Sequence, residues 1–503
     1  MITLSRRELV TSAAMAGAML ACPDALLAAT GGAPWTLGVA DIEADIAPRA
    51  LRRIHGKAPA GLAGTLYRNG PAKFRRGGTA SGHWFDGDGL MRAFTLPGDG
   101  TAKLAARFAD TPKRRAESAA GKIIMPGFGT PAGAGAVVTG PDDTNAANTS
   151  VILAGGELLA LWEAGSATRM DPETLETRGF KTFRPDLKQM PFLAHPRIEP
   201  DGRIWNLSLS GKSALVWRLG ADGALQAAQG IKLPRASYLH DFTATERHLV
   251  IVLQPWIQDR MRLPYVDSLS WRPELGTQVL VVDKADLSRQ RIYELPAFAF
   301  FHLGDAWEES DGTIRFDGCI EADPTFGATS ARELVAGIHH PSPMPILGMI
   351  ALFADGRATL TPSDTAAEFP RSNPQLAGKR RRATVHVGSY RTDRPFAQAV
   401  GVWDWTRGAD DAHDFGGDHL VEEFVLVPKA GGRSETDGWL LGTTVNLKAR
   451  ATELHVFDAA RVAAGPIVSW RADVALPVGF HGNFAARGGV MARVEARANS
   501  LLL

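Results

Sequence analysis

Short apolar runs, broken every few residues by glycine-containing turn signals, recur from about Gly38 to the C-terminal region. This rhythm restricts the chain to an all-β architecture. Val151 to Glu163, VILAGGELLALWE, reads as a hairpin in which Gly155 and Gly156 supply the positive φ of a tight turn. Gly202 to Gly223 repeats the scheme, as do HLVIVLQPW, TQVLVVDKADL, GTIRFDGCI, GWLLGTTVN and TELHVFDAA. No long heptad and no glycine-rich phosphate loop interrupts the series, which argues against a doubly wound sheet and for a closed ring of antiparallel blades. The period is not visible as a repeat. Helical or irregular inserts are expected at Pro112 to Pro141, Pro324 to Pro345 and Arg407 to His419, where Gly, Pro, Ala and charge replace alternation.

Four histidines stand in separate, distinctive strings: LAHPRIEPDG (His195), SYLHDFT (His240), FFHLGDAWE (His302) and GFHGNF (His481). They are 45, 62 and 179 residues apart, too far for a finger or a helix-borne pair. A metal shared by all four must therefore be assembled by the whole fold, and a radial fold suits that. Imidazole suits iron, zinc, copper and nickel. Four neutral ligands with no carboxylate among them would leave iron ferrous, with room for small ligands. The other nine histidines, His83 in HWFDGDG among them, read as structural or exposed. Asp86 and Asp88 of that string read as a blade turn, because the later bidentate glutamate of a calcium loop is missing.

Taken in order, these strings resemble the carotenoid cleavage oxygenase family. The likeness runs from GTLYRNGPAKF (Gly64 to Phe74) and HWFDGDGLMRAF (His83 to Phe94) to FHGNFAAR near the C-terminus. It implies a seven-bladed β-propeller with a helical dome over one face, and Fe(II) on the axis held by His195, His240, His302 and His481. It also implies glutamates that orient three of the imidazoles, at Glu163, Glu368 and Glu435, without assigning glutamate to histidine. Such partners have a physical basis, since a ligating histidine needs its other N–H held to fix tautomer and orientation. The implied activity is oxidative cleavage of a conjugated C=C bond of a carotenoid or apocarotenoid by O₂, giving two carbonyl products.

The same resemblance places Thr149 beside the metal and makes Trp162, Tyr238 and Phe301 candidates for the walls of an apolar tunnel; each also reads as β-sheet core. A stilbene-cleaving branch is the alternative within the family. Its members carry a lysine immediately before the first orienting glutamate, where this chain has Trp162. Indole in place of ammonium removes an anchor for a phenol and adds stacking surface for a polyene. An alternative of another class is a propeller that carries a pigment without catalysis.

With 55 basic against 54 acidic side chains there is no basic field for nucleic acid, so an apolar small-molecule partner fits better. The chain opens SRRELVTSAAMAGAMLA, a twin arginine (Arg6, Arg7) before an uncharged stretch too short to span a bilayer. Residues 1–30 are thus expected to be a cleaved twin-arginine signal and 31–503 one catalytic domain, periplasmic and monomeric. Removal of Cys22 would leave Cys319 as the only thiol. The segment Trp256 to Trp271, WIQDRMRLPYVDSLSW, has the composition of a loop that dips into a membrane interface or packs on the barrel.

Overall fold

The computed structural model describes residues 32–432 and 434–487. The expected signal, Arg6 and Arg7 included, lies outside them. Its sheets make seven blades. Three are simple four-stranded meanders, running from Ser150–Ala154 to Thr177–Phe180, from Arg197–Ile198 to Leu225–Lys232, and from Thr243–Ala244 to Gln290–Leu295. A seven-stranded sheet supplies two more, because the long strand Ala358–Arg371 pairs with Ile346–Leu352 through its first half and with Ala383–Gly388 through its second. One strand thus serves as the outer edge of one blade and the inner edge of the next, which hides the repeat from a reading of the sequence.

Strands from early and late in the described residues close the ring. Gly482–Ala486 forms the inner strand of the first blade, pairing with Gly64–Arg68 (Tyr67 opposite Asn483). Arg52–Gly56 forms the outer strand of the last, pairing with Val468–Arg471. Apolar side chains pack between successive blades all the way round. Leu66 and Phe94 of the first blade meet Leu454 and Trp470 of the last, Met91 meets Leu158, and Leu161 meets Trp217. Leu207 then meets Leu280, Val250 meets Phe316, Cys319 meets Trp403, and Val400 meets Phe424. The inner strands of each blade are thus buried between neighbouring blades, while outer strands such as Arg52–Gly56 and Leu225–Lys232 keep exposed residues.

The inserts at Pro112 to Pro141 and Pro324 to Pro345 are helical or irregular and build a dome. The helix Pro112–Ala120 is capped by Thr111, whose hydroxyl accepts from the Arg114 N–H. Lys113 is buried against Asp88 at 2.9 Å and Glu117 at 3.0 Å. Neither Asp86 nor Asp88 makes a blade turn: Asp88 opens the strand Asp88–Leu96, and Asp86 accepts from the N–H groups of Phe128, Gly129 and Thr130 at 2.7, 2.9 and 2.8 Å. These two carboxylates tie the dome to the propeller. The insert expected at Arg407 to His419 is instead largely a strand, Ala409–Asp414, paired with Ala399–Asp404 on the outside of a blade. Its charges alternate outward because only one side meets protein, so charge density there marked an edge strand. The Trp256 to Trp271 segment is a long hairpin closed by pairing of Trp256–Gln258 with Leu269–Trp271. Among the described residues no helix is long and apolar enough to cross a membrane.

Near the axis, Glu422 takes Arg68 at 3.0 Å and Arg92 at 3.6 Å, all three fully buried. Replacement of Glu422 by Gln leaves two buried guanidinium groups facing a neutral amide. Such a loss is expected to cost ~3–5 kcal/mol, read as a fall in the urea midpoint at unchanged slope.

Candidate metal centre and tunnel

The four histidines sit on or beside the innermost strands of their blades. His195 precedes Arg197–Ile198, His240 precedes Thr243–Ala244, His302 lies within Ala299–Glu308, and His481 immediately precedes Gly482–Ala486. Their Nε2 atoms converge: His195 to His240 is 3.0 Å, His240 to His302 is 3.2 Å, and His302 to His481 is 3.1 Å. One ligating nitrogen from each lies within 4.8 Å of every other. Metal–nitrogen bonds of about 2.1 Å at right angles place neighbouring nitrogens about 3 Å apart, so the donor set fits a single metal ion.

Carboxylates face the opposite nitrogens. Glu163 Oε1 takes His240 Nδ1, Glu368 Oε2 takes His302 Nδ1 at 2.5 Å, and Glu423 Oε1 takes His481 Nδ1 at 2.9 Å. Each such contact keeps the proton on Nδ1 and turns the Nε2 lone pair to the centre. Burial holds His195 far below its ordinary range, helped by the neighbouring imidazoles, and brings His481 to about 3. Both are therefore neutral, as ligands must be. Burial raises Glu423, but Arg371 and His481 outweigh it and hold the carboxyl well below its usual range. Arg371 Nε donates at 2.8 Å to Glu423 Oε1, the same oxygen that faces His481, and so fixes the carboxylate in place.

Glu435 is not at this centre. Its carboxylate accepts from the backbone N–H groups of Arg382 and Ala383, both at 2.8 Å, on a loop outside the inner strands. The third orienting carboxylate is Glu423, in the inner strand His419–Pro428. A signal for it was present in VEEFVLV: two acids in an otherwise apolar, buried strand require partners. Phe369 was also missed. Its ring stacks on His302 at 4.9 Å, and its φ of +55° is unusual for a bulky residue. Its N–H donates to Glu368 Oε2 at 2.9 Å, so the uncommon backbone braces the orienting carboxylate.

A cavity of about 760 Å³ runs between dome and propeller and reaches His240, His302 and His481. Its walls include Phe85, Phe128, Tyr238, Phe301, Phe369 and Phe480, and a volume of this size suits an organic small molecule. Thr149, Trp162, Tyr238 and Phe301 all line it. The Thr149 hydroxyl donates to Asn148 Oδ1 at 3.2 Å, which commits the polar half of that side chain to protein. Tyr238 donates its hydroxyl to Glu163 Oε2 at 3.1 Å. Burial, reinforced by Glu163, pushes its phenol well above the ordinary range, so it stays a donor.

A family model described as Retinal pigment epithelial membrane protein matches residues 40–486. The chain is 30% identical over 466 residues to an apocarotenoid-15,15'-oxygenase of Synechocystis, covering 86% of this chain and 92% of that protein. It is 26% identical over 484 residues to a lignostilbene-alpha,beta-dioxygenase isozyme of Sphingomonas paucimobilis, covering 91% and 97%. Among solved structures, cobalt-substituted Synechocystis apocarotenoid oxygenase superposes with a TM-score of 0.80 at 26% identity, covering 90% of this chain and 98% of the other.

Proposed function

This chain belongs to the carotenoid oxygenase family, and on that premise we propose that it is an Fe(II)-dependent dioxygenase cleaving a conjugated C=C bond of a carotenoid or apocarotenoid. The observation that carries this reading is the convergence of four imidazole Nε2 atoms, with carboxylates behind three of them, on the wall of an aromatic tunnel. Iron held there supplies the redox chemistry with O₂ that turns one double bond into two carbonyl groups. Every other contribution is made by the chain. His195, His240, His302 and His481 provide a donor set of four imidazoles, and Glu163, Glu368 and Glu423 keep each partner's proton on Nδ1. The aromatic walls hold an extended apolar substrate and keep water from the reacting bond. No side-chain general base is required.

Relatives named for lignostilbene and isoeugenol make phenolic olefins the competing substrates. Trp162 on the tunnel wall, where a phenol anchor would carry a cation, favours a polyene. The test is to load anaerobically purified protein with Fe(II), add a panel of apocarotenals, β-carotene and resveratrol, admit oxygen and identify products by mass spectrometry. Paired carbonyls from a polyene support the reading. Cleavage of resveratrol alone moves the chain to phenolic olefins, and tight pigment binding without cleavage makes it a carrier.

Export by the twin-arginine leader and work as a periplasmic monomer belong to the same proposal, and so does contact with a lipid surface. Met261 and Leu263, 61% and 49% exposed at the tip of the Trp256 to Trp271 hairpin, line the same tunnel, as do Val138 and Met344. An apolar rim around a tunnel mouth lets a lipid-dissolved substrate enter without crossing water. Replacing Met261 and Leu263 together by serine is expected to lower co-sedimentation with phosphatidylcholine vesicles several-fold.

A further inference from the structure

One acid lining the tunnel has no part in the metal centre. Glu321 ends the strand Ile314–Glu321, is only 4% exposed, and lines the cavity. Among the described residues its carboxyl makes no hydrogen bond and no ion pair, and its oxygens are open to the cavity rather than sealed in protein. A buried acid ordinarily takes a cation or several N–H donors, as Glu422 and Glu423 do here. Tyr390, on the same cavity, likewise has no hydrogen-bond partner for its hydroxyl among the described residues. Two oxygen groups thus face the tunnel beside its aromatic walls with their hydrogen-bonding capacity unused.

Burial pushes the Glu321 carboxyl well above its ordinary range, with the nearby Glu368 and Asp323 adding to it. Burial likewise raises the Tyr390 phenol, with Glu368, Cys319 and Glu321 contributing. Both groups therefore keep their protons, and a neutral carboxylic acid in an apolar site is a strong hydrogen-bond donor. The complementary ligand group is a carbonyl or hydroxyl oxygen. A cation would meet no carboxylate here, and a hydrocarbon end would leave both groups unpaired.

We propose that Glu321, assisted by Tyr390, is the tunnel's specificity anchor, hydrogen-bonding an oxygen function on the polyene and so favouring oxygenated polyenes over hydrocarbon ones. This rests on the polyene reading above. A site built to hydrogen-bond a substrate oxygen discriminates against the analogue that lacks it, because its own polar groups are then stranded.

The experiment compares wild type, Glu321→Leu and Glu321→Gln on an apocarotenal and on the polyene of equal length ending in a methyl group. Two readouts are taken: kcat/KM with iron-loaded enzyme, and Kd by quenching of tryptophan fluorescence in metal-free protein. Glu321→Leu is expected to weaken both by about 10- to 100-fold for the aldehyde, with the hydrocarbon changed less than about threefold. Glu321→Gln, which keeps a donor of nearly the same shape, should retain most of the preference. Equal losses on the two polyenes, or none on either, overturn the assignment. If wild type binds the aldehyde without cleaving it, the catalytic proposal fails while the Kd ratio still decides Glu321; if it binds neither polyene, both fail.

Discussion

His302→Ala is expected to leave a folded protein that retains almost no iron and cleaves no substrate. His302 is central to the donor set, its Nε2 lying 3.2 Å from that of His240 and 3.1 Å from that of His481. Its removal also frees Glu368, a carboxylate that then faces the cavity without its imidazole. Loss of an orienting partner alone typically costs 10- to 100-fold in metal affinity or activity, and loss of a ligand itself should exceed that. The check is metal content by mass spectrometry on purified protein, alongside product analysis. Full iron occupancy with normal cleavage would remove His302 from the ligand set. The fold should survive, because its core lies between the blades and not at the axis: Val250, Phe316 and the residues around them do not touch this imidazole's role.

Glu423→Gln and Glu435→Gln should separate cleanly, the first lowering iron affinity and turnover by about 10- to 100-fold and the second leaving iron content at the wild-type level. Glu423 accepts from His481 Nδ1 at 2.9 Å, from the Gly482 N–H at 2.7 Å and from Arg371 at 2.8 Å. An amide cannot accept from all three; one of its heavy atoms is itself a donor and would oppose a donor already there. With the amide oxygen at the Oε1 position, the NH2 opposes the Gly482 N–H, the imidazole faces a neutral acceptor instead of a carboxylate, and Arg371 loses its counter-charge. Among the described residues Glu435 accepts from two backbone N–H groups, on an outer loop. Iron titration of metal-free protein and unfolding in urea give the two effects separately. An equal effect at the two positions would mean that Glu423 acts through stability alone.

These two glutamates also show where reading the chain stopped. The four histidines were legible because each is embedded in a short string whose order along the chain is distinctive, and Glu163 and Glu368 were legible for the same reason. Glu435 stands in an equally distinctive string, SETDG, yet distinctiveness there reflects a capped turn. Glu423 stands in a plain strand, next to a second acid of different duty: Glu422 faces Arg68 and Arg92, and Glu423 faces His481. The strand's register shifts between Val421 and Phe424, so simple alternation does not assign these two side chains, and only the position of that strand in the ring says which of them meets the metal centre.

What the sequence determined by itself was local in origin: alternation and turn residues specified strands and hairpins, Gly155 and Gly156 among them with φ of +57° and +81°, and ligand-bearing strings named the imidazoles. What the tertiary structure decided was every relation set by ring closure. The strand Ala358–Arg371 divides itself between two blades, the strand Gly482–Ala486 completes the first blade, and residues 45, 62 and 179 positions apart meet at 3.0, 3.2 and 3.1 Å. The orienting role of Glu423, the stacking of Phe369 on His302 and the open carboxyl of Glu321 all depend on that closure. Local pattern is encoded by neighbours in the chain, whereas a site on a propeller axis is assembled from the inner edges of blades whose spacing no single segment carries.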